Sequence, residues 1–260
     1  MKVAVCIKQV PVGSVPMENG GNLNRSLAGT RLNPGDGYAL EAAVTLAQAT
    51  GGPVTAFTMG PPSAQAVLKA ALPMGVSVGI LLTDRAFAGA DVYATAYTLA
   101  QGIRAVDKFD VVICGQQSTD GDTAQLPFSL ACQLGIPALG WVKDYALQDG
   151  RILVNQELSL GTQQAEVTTP CLLAVGTGCK KPRIPSLRDQ LRARSGSIRI
   201  LGLSDLEDRN PDHYGQAGSP TRVVSVRNIE QLVRCQPRQL AGADTAAAIY
   251  AAIREVKTHG

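Results

Sequence analysis

Aromatic residues make up only 4% of the 260-residue chain, and histidine occurs twice. His213 and His259 stand in polar stretches, apart from any serine or cysteine that a base would activate, so nucleophile–base catalysis is not expected. The chain has no HExxH, no CxxC and no G-x-G-x-x-G, so zinc hydrolysis, a cysteine-paired metal and the dinucleotide fingerprint lack their usual signals. Glu157 and Glu166 fall on opposite faces of extended segments and do not form a general acid/base pair. No catalytic and no metal-ligating residue is therefore expected, and a bound cofactor is the expected source of chemistry. Charge of one sign is also scarce: 24 basic and 21 acidic residues leave a net +3, too even for a nucleic-acid footprint. Apolar runs such as Val3–Ile7 and Cys171–Val175 are far shorter than the ~20 residues of a membrane-crossing helix. Lys8 closes the first run before a secretory core forms, so no signal peptide is expected. The six cysteines (Cys6, Cys114, Cys132, Cys171, Cys179, Cys235) lie mostly in apolar segments and read as small buried hydrophobes of a reducing compartment. A cytoplasmic globular protein is expected.

What is present is an alternation of two periods. Val3–Ile7, Pro53–Thr58, Val78–Leu82 and Asp110–Cys114 read as buried strands. Tyr38–Thr50, Ser63–Met74, Asp91–Val106 and Thr123–Leu134 carry apolar residues at helical spacing. Strands separated by amphipathic helices give an α/β fold with a doubly wound, mostly parallel sheet. Asp149-Gly150 between two extended runs, Trp141–Leu147 and Ile152–Leu158, signals a hairpin. With Ala165–Val175 it is expected to form an antiparallel extension. Beyond Pro182 the composition turns basic (Arg183, Arg188, Arg192, Arg194, Arg199), then polar and Gly/Pro-rich over Asp205–Pro220. A helical pattern returns only at Thr245–Val256. The expected division is a nucleotide-binding domain over 1–200 and an extended C-terminal arm over 201–260 that lies on a partner.

Three loops hold polar residues where an open α/β sheet binds ligands, at the carboxyl ends of its strands. Gly115, Gln116, Gln117, Ser118, Thr119, Asp120, Gly121, Asp122 and Thr123 follow the fourth strand. The glycines admit a close backbone approach, and the helix start attracts an anion. Asp120 and Asp122 oppose a triphosphate, and the loop itself carries no P-loop lysine. Asp122 as an inward cap, with Asp120 facing ribose hydroxyls, reconciles these features; a polar turn that binds nothing is the alternative. Lys8-Gln9-Val10-Pro11 and Asn33-Pro34-Gly35-Asp36 are expected to line the same crevice. Asn33 is a candidate for base or ribose hydrogen bonding, or Asn33-Pro34 simply initiates a turn and Asp36 caps the first helix. Cys179–Arg188, stiffened by Pro182 and Pro185, reads as a docking loop with an apolar Leu187, or as a solvated basic surface.

These segments, with Thr58-Met59-Gly60-Pro61, Ala70–Gly75, Leu81–Asp84, Asp120-Gly121-Asp122-Thr123-Ala124-Gln125, Pro182-Arg183-x-Pro185-Ser186-Leu187 and Gly218-Ser219-Pro220-Thr221, resemble the β subunit of electron transfer flavoprotein in family order from residue 1 to about 221. The resemblance implies a heterodimer whose α subunit holds most of an FAD, with this chain supplying a wall to it. It implies a second nucleotide, FAD or AMP, at Cys6, Asn33, Pro34, Gly35, Asp36, Met59 and the stretch Gly115 through Thr123 with Ala124, Gln125 and Leu126. Leu187 with Arg183 would dock a flavin dehydrogenase such as an acyl-CoA dehydrogenase, and Glu157 would fix the relative orientation of the subunits. Val12, Gln116, Ser118-Thr119, Leu126-Pro127-Phe128, Gly35 and Gly37 depart from the usual family residues. Small Gly121 and Ala124 favour FAD over AMP, and with it electron bifurcation. A single-flavin shuttle holding structural AMP and an adenine-nucleotide hydrolase are the alternatives.

Overall fold

The structure, a computed structural model, describes residues 1–12, 29–148, 150–222 and 244–258. Cys235, His259, Asp149 and the middle of the expected arm lie outside the described residues.

The β-branched run Val3–Cys6 (β1) is buried at every position and lies in the interior of the sheet. Pro34–Thr50 (α1) leads to Val54–Met59 (β4), and Gln65–Ala71 (α2) to Val78–Leu82 (β5), all on one side of β1. Val92–Val106 (α3) then returns the chain to Val111–Gly115 (β6) on the other side of β1. That reversal makes the gap between the carboxyl ends of β1 and β6 the topological switch point, where open sheets of this kind hold ligands. Gln9–Pro11 (β2) and Thr30–Leu32 (β3) pair as a separate antiparallel ribbon beside that gap.

After Leu126–Leu134 (α4) come Ala138–Gln148 (β7), Arg151–Leu158 (β8), Gly161–Val167 (β9) and Cys171–Val175 (β10). The expected hairpin is there, with Gln148 opposite Arg151 and Gly150 at φ +79°. The expected single strand over Ala165–Val175 is corrected: it divides at a cis Thr169–Pro170 bond into β9, antiparallel to β8, and β10. β10 is buried throughout and inserts in parallel between β6 and β7. An all-apolar run needs apolar neighbours on both faces, and only the sheet interior supplies them. Leu187–Ala193 (α5) and Ser197–Leu201 (β11) complete the order β11-β5-β4-β1-β6-β10-β7-β8-β9, parallel except at β7-β8-β9. The α/β class with an antiparallel extension is as expected; β11 on the edge was not foreseen, because Ser-Ile-Arg-Ile-Leu shows one apolar face amid basic residues.

Two cores flank the sheet. Val3, Val5, Leu40, Leu46, Leu68, Ile113 and Leu173 pack on the α1/α2 face. Ala4, Cys6, Phe57, Ile80, Leu99, Cys114 and Leu130 pack on the α3/α4 face. Cys6, Cys114, Cys171 and Cys179 are buried as expected, whereas Cys132 is exposed.

Residues 201–222 belong to this compact unit rather than to a separate arm. Leu201, Leu206 and Tyr214 are buried in the α3-side core, and the Tyr214 ring packs on Phe87 and Tyr97. Asp208 accepts hydrogen bonds from Tyr97 Oη and from His213 Nδ1, each at 2.6 Å. The Tyr97 hydroxyl above all, with the Asn210 amide and His213, pushes the Asp208 carboxyl down to about 2. Asp91 caps α3 through Ala94 N and also accepts from Thr221 N and Oγ1, pinning the Gly218–Thr221 turn to the helix start. Asp244–Thr258 (α6) lies in a second unit, where the helical pattern was expected. No described helix is long and apolar enough to cross a membrane.

Candidate functional site

Three segments converge on the switch point: the exit of β1, the start of α1 and the loop from β6 to α4. Their side chains are locked together. Asp36 Oδ2 accepts from Lys8 N at 2.7 Å, and Asp36 Oδ1 accepts from Asn33 Nδ2 at 2.9 Å. Asn33 Nδ2 also donates to the Gln117 carbonyl at 3.0 Å, while Asn33 Oδ1 accepts from Thr119 N at 3.2 Å. Asn33 is 1% exposed and Asp36 5%. Burial pushes the Asp36 carboxyl up to about 7, although Asn33, the Lys8 amide and the Lys8 ammonium all favour its charged form. Gly115 is required here, because a Cβ would run into Asp36 Oδ1.

Asn33 commits both Nδ2 hydrogens and one Oδ1 bond to Asp36 and the loop backbone, and so positions the loop. The capping expectation is corrected. Asn33, not Asp36, is the residue flanking the start of α1, and it makes no side-chain cap bond. The Asp36 side chain points back to β1.

The loop itself differs from its sequence reading. Asp122 was expected to cap the following helix from a start near Thr123, yet α4 starts at Leu126 after Gln125, with no side-chain cap. Asp122 instead has φ +49° and Ala124 φ +54°. Left-handed residues interleaved with right-handed ones turn successive N–H groups into an anion-holding concavity. Asp120 was expected to face ribose hydroxyls. Its side chain is only 2% exposed and pairs with Lys8 Nζ at 2.6 Å, and Lys8 Nζ stands 3.4 Å from Ser118 Oγ. The lysine that the loop lacks is thus delivered from the β1 exit, 112 residues away in sequence. Sequence reading named the Lys8 segment as crevice lining but not this pairing, which no local pattern encodes.

The other expected residues sort by exposure. Cys6 is buried in register beside Cys114, whose thiol is pushed well up by the Cys6 side chain and by burial. Met59 and Gly35 are half-buried, Gln116 is buried, and Pro34, Gln117, Thr119, Gly121, Asp122, Thr123 and Gln125 are exposed. Gly121 faces open space, its nearest neighbour being Ser118 Oγ at 3.6 Å from a Cβ built there. Gln116 Oε1 accepts from Trp141 N, and Gln116 Nε2 has no partner among the described residues.

The expected docking residues lie elsewhere on the molecule. Arg183 grips Glu41 of α1 with Nε and Nη2 at 2.7 and 2.8 Å. This pair holds the Glu41 carboxyl below its ordinary range. Arg183 therefore anchors the turn, a use that the sequence did not disclose. Ile184 and Leu187 beyond it are 94% and 72% exposed, and Ser186 with Asp189 forms a capping box at the start of α5. Glu157 is exposed on β8 and pairs with Lys143 at 3.0 Å.

A sequence model of the electron transfer flavoprotein domain matches residues 21–206. The chain belongs to the electron transfer flavoprotein family. Within the family it is of the β-subunit type: it is 41% identical over 233 residues to electron transfer flavoprotein subunit beta of Thermoanaerobacterium thermosaccharolyticum, covering 86% of this chain and 87% of that protein. It is 38% identical over 226 residues to the caffeyl-CoA reductase-Etf complex subunit CarD of Acetobacterium woodii, covering 86% of each. It is also 38% identical over 237 residues to the protein FixA of Azorhizobium caulinodans, covering 87% of this chain and 84% of that protein.

Proposed function

We propose that this chain is the β subunit of a heterodimeric electron transfer flavoprotein of a reducing cytoplasm, and that it holds its own nucleotide, FAD rather than AMP, at the switch point between β1 and β6. The observation that carries the reading is the convergence of Lys8, Ser118 and the left-handed turns at Asp122 and Ala124 on one loop. An ammonium and a hydroxyl beside a left-handed loop are groups that a phosphate or diphosphate takes as partners, with Lys8 shared between Asp120 and the ligand. Asn33 and Asp36 hold that loop from behind, so the donors are in place before a ligand arrives, which lowers the ordering cost of binding. The open face of Gly121 leaves room for a second phosphate.

A bound flavin would supply the electron-accepting ring. The chain's part is to bind, orient and shield it: Lys8 neutralises phosphate, while Cys6 and Met59 line the apolar end of the crevice. Asp120 and Asp122 hold no metal in this reading, and hydrolysis of a nucleotide is not proposed. The α subunit would share a further FAD with this chain, with Glu157 and the part of the chain beyond residue 222 at that contact. Ile184 and Leu187 would dock a flavin dehydrogenase, and the carrier would pass electrons between it and an acceptor, with bifurcation as the two-flavin form of that role. Two relatives are named for CoA-thioester reductases, the caffeyl-CoA protein above and the acryloyl-CoA reductase electron transfer subunit gamma of Anaerotignum propionicum. They support an acyl-CoA dehydrogenase as the partner class.

The test is Gly121→Trp in the purified heterodimer. A Cβ at Gly121 would meet no atom closer than Ser118 Oγ at 3.6 Å, so the variant is expected to fold, lose the β-site FAD and keep the FAD held with the α subunit. Retention of both flavins overturns the site.

A further inference from the structure

Trp141 is the chain's single tryptophan. Its φ is +55°, in the left-handed region that a bulky side chain adopts only under strain. The cause is a bulge: Leu139 and Val142 of β7 stand opposite Leu173 and Val175 of β10, so β7 carries one residue more than its neighbour across that step. Two buried amide side chains hold the bulge in place. Gln116 Oε1 accepts from Trp141 N at 2.7 Å, and Gln156 Nε2 donates to the Gly140 carbonyl at 2.6 Å. Gln163 Nε2 fixes Gln156 in turn, donating to its Oε1 at 2.8 Å. Gly140 beneath leaves room for the Phe128 ring, which a Cβ there would strike.

Strain and two buried glutamines are thus committed to a side chain that is not buried: Trp141 is 47% exposed. A core tryptophan would recover the cost by burial, and this one does not. Its place in the sheet supplies the reason. Val142 is level with Val175, and Val175 with Gly115, so the bulge lies at the carboxyl edge of the sheet, flush with the start of the nucleotide loop. Gln116, the clamp on Trp141, is itself a residue of that loop. β7 lies two strands beyond β6 in one direction, and β4, which carries Met59, lies two strands from β6 in the other. At about 4.8 Å per strand the edge from β4 to β7 spans roughly 19 Å. A mononucleotide seated on the loop covers one side of that span, and an extended dinucleotide covers both.

We propose that Trp141 is the stacking face for the second ring of a dinucleotide whose phosphates lie on the Ser118–Ala124 loop. This rests on the nucleotide site proposed above and adds to it: the bulge selects a ligand with a flat ring at each end, so Trp141 is a specificity-determining residue for FAD over AMP. Gln116 couples the two parts, because one side chain belongs to the phosphate loop and holds the stacking residue.

The test uses the full chain, with FAD and AMP as probes. Binding is measured by calorimetry, and Trp141, as the single tryptophan, reports by its own emission. FAD is expected to quench that emission while AMP leaves it unchanged. Trp141→Leu is expected to weaken FAD about tenfold, the scale of one lost ring stack, with AMP unaffected. Trp141→Phe is expected to restore most of the loss. Trp141→Gly separates binding from structure: glycine relaxes the left-handed backbone, so the melting temperature rises while FAD affinity falls. FAD binding with unchanged emission, or equal FAD affinity in Trp141→Leu, overturns the proposal and leaves the nucleotide site standing. Emission moved by the partner subunit and not by FAD makes Trp141 a docking residue and likewise overturns it. If neither FAD nor AMP binds the unmodified chain, the nucleotide site itself is refuted and the proposal with it.

Discussion

At the switch point between β1 and β6, polar groups are buried: Asn33, Asp36 and the Asp120 carboxylate are almost wholly removed from water, and each is held by partners from a distant segment. At the turn between β10 and α5 the arrangement is inverted. Ile184, Leu187 and Leu191 are apolar and exposed, and the polar anchors of the turn are the Arg183–Glu41 and Lys180–Asp144 pairs. Burying polar groups is costly unless every partner is in place, and exposing apolar ones is costly unless something covers them. In the function proposed above, the first region would take a small polar ligand and the second a macromolecular surface. The two kinds of site should respond oppositely to perturbation: changes at the switch point should affect stability and nucleotide binding together, whereas changes at the turn should affect only the partner.

The largest expected effect is of pH. Asp36 titrates at about 7 in the fold against 3.8 as the ordinary value. A carboxyl raised on folding contributes its full stability below the unfolded value and loses it as pH rises through the folded one. Stability should thus fall between about pH 4 and pH 7, by on the order of 3–4 kcal/mol at most. Asp36→Asn should flatten that slope in denaturant titrations at pH 4, 5.5 and 7, even though it loses one hydrogen bond at every pH. An unchanged slope would place the titrating group elsewhere. The turn offers no counterpart to this effect.

Next in size is Lys8→Met. It leaves the buried Asp120 carboxylate without its ammonium, and should cost about 2–3 kcal/mol of stability. It should also weaken nucleotide binding at least tenfold, with a shallower dependence on salt, read by calorimetry at two ionic strengths. Equal losses for nucleosides and for phosphorylated ligands would remove Lys8 from the phosphate.

Smallest in stability, and decisive for the comparison, is Leu187→Ser. An exposed side chain away from special features should move stability by no more than about 0.5 kcal/mol. Electron transfer from a dehydrogenase should slow about tenfold with nucleotide content intact. Ser186→Ala, which removes the cap of α5 beside it, should cost about 1 kcal/mol and change transfer less. If Leu187→Ser instead released nucleotide, the two regions would not be separate.

Much of the fold was legible because strands and helices announce themselves locally. The apolar runs at Val3, Val54, Val78 and Val111 and the helical spacing over Asp91–Val106 need no knowledge of their neighbours. The place of β10 was not legible, since an all-apolar strand declares that it is interior and not which strands flank it. At the site, the loop Gly115–Gln125 was found from its position and composition, and the structure keeps it at the switch point. Its internal wiring was hidden for two physical reasons. The Lys8–Asp120 and Asn33–Thr119 contacts join segments 112 and 86 residues apart, and left-handed φ at Asp122, Ala124 and Trp141 falls on residues that carry no glycine-like signal. Asp122 was read as a cap because aspartate before a helix usually is one; here the helix begins later and the residue serves the turn.

The most direct test of the nucleotide site is its content. The chain is co-expressed with an α subunit, the heterodimer purified, the cofactors released with acid, and FAD and AMP counted per heterodimer. Two FAD and no AMP are expected. One FAD with one AMP would contradict this, because the open Gly121 face and the span to Trp141 would then serve no dinucleotide.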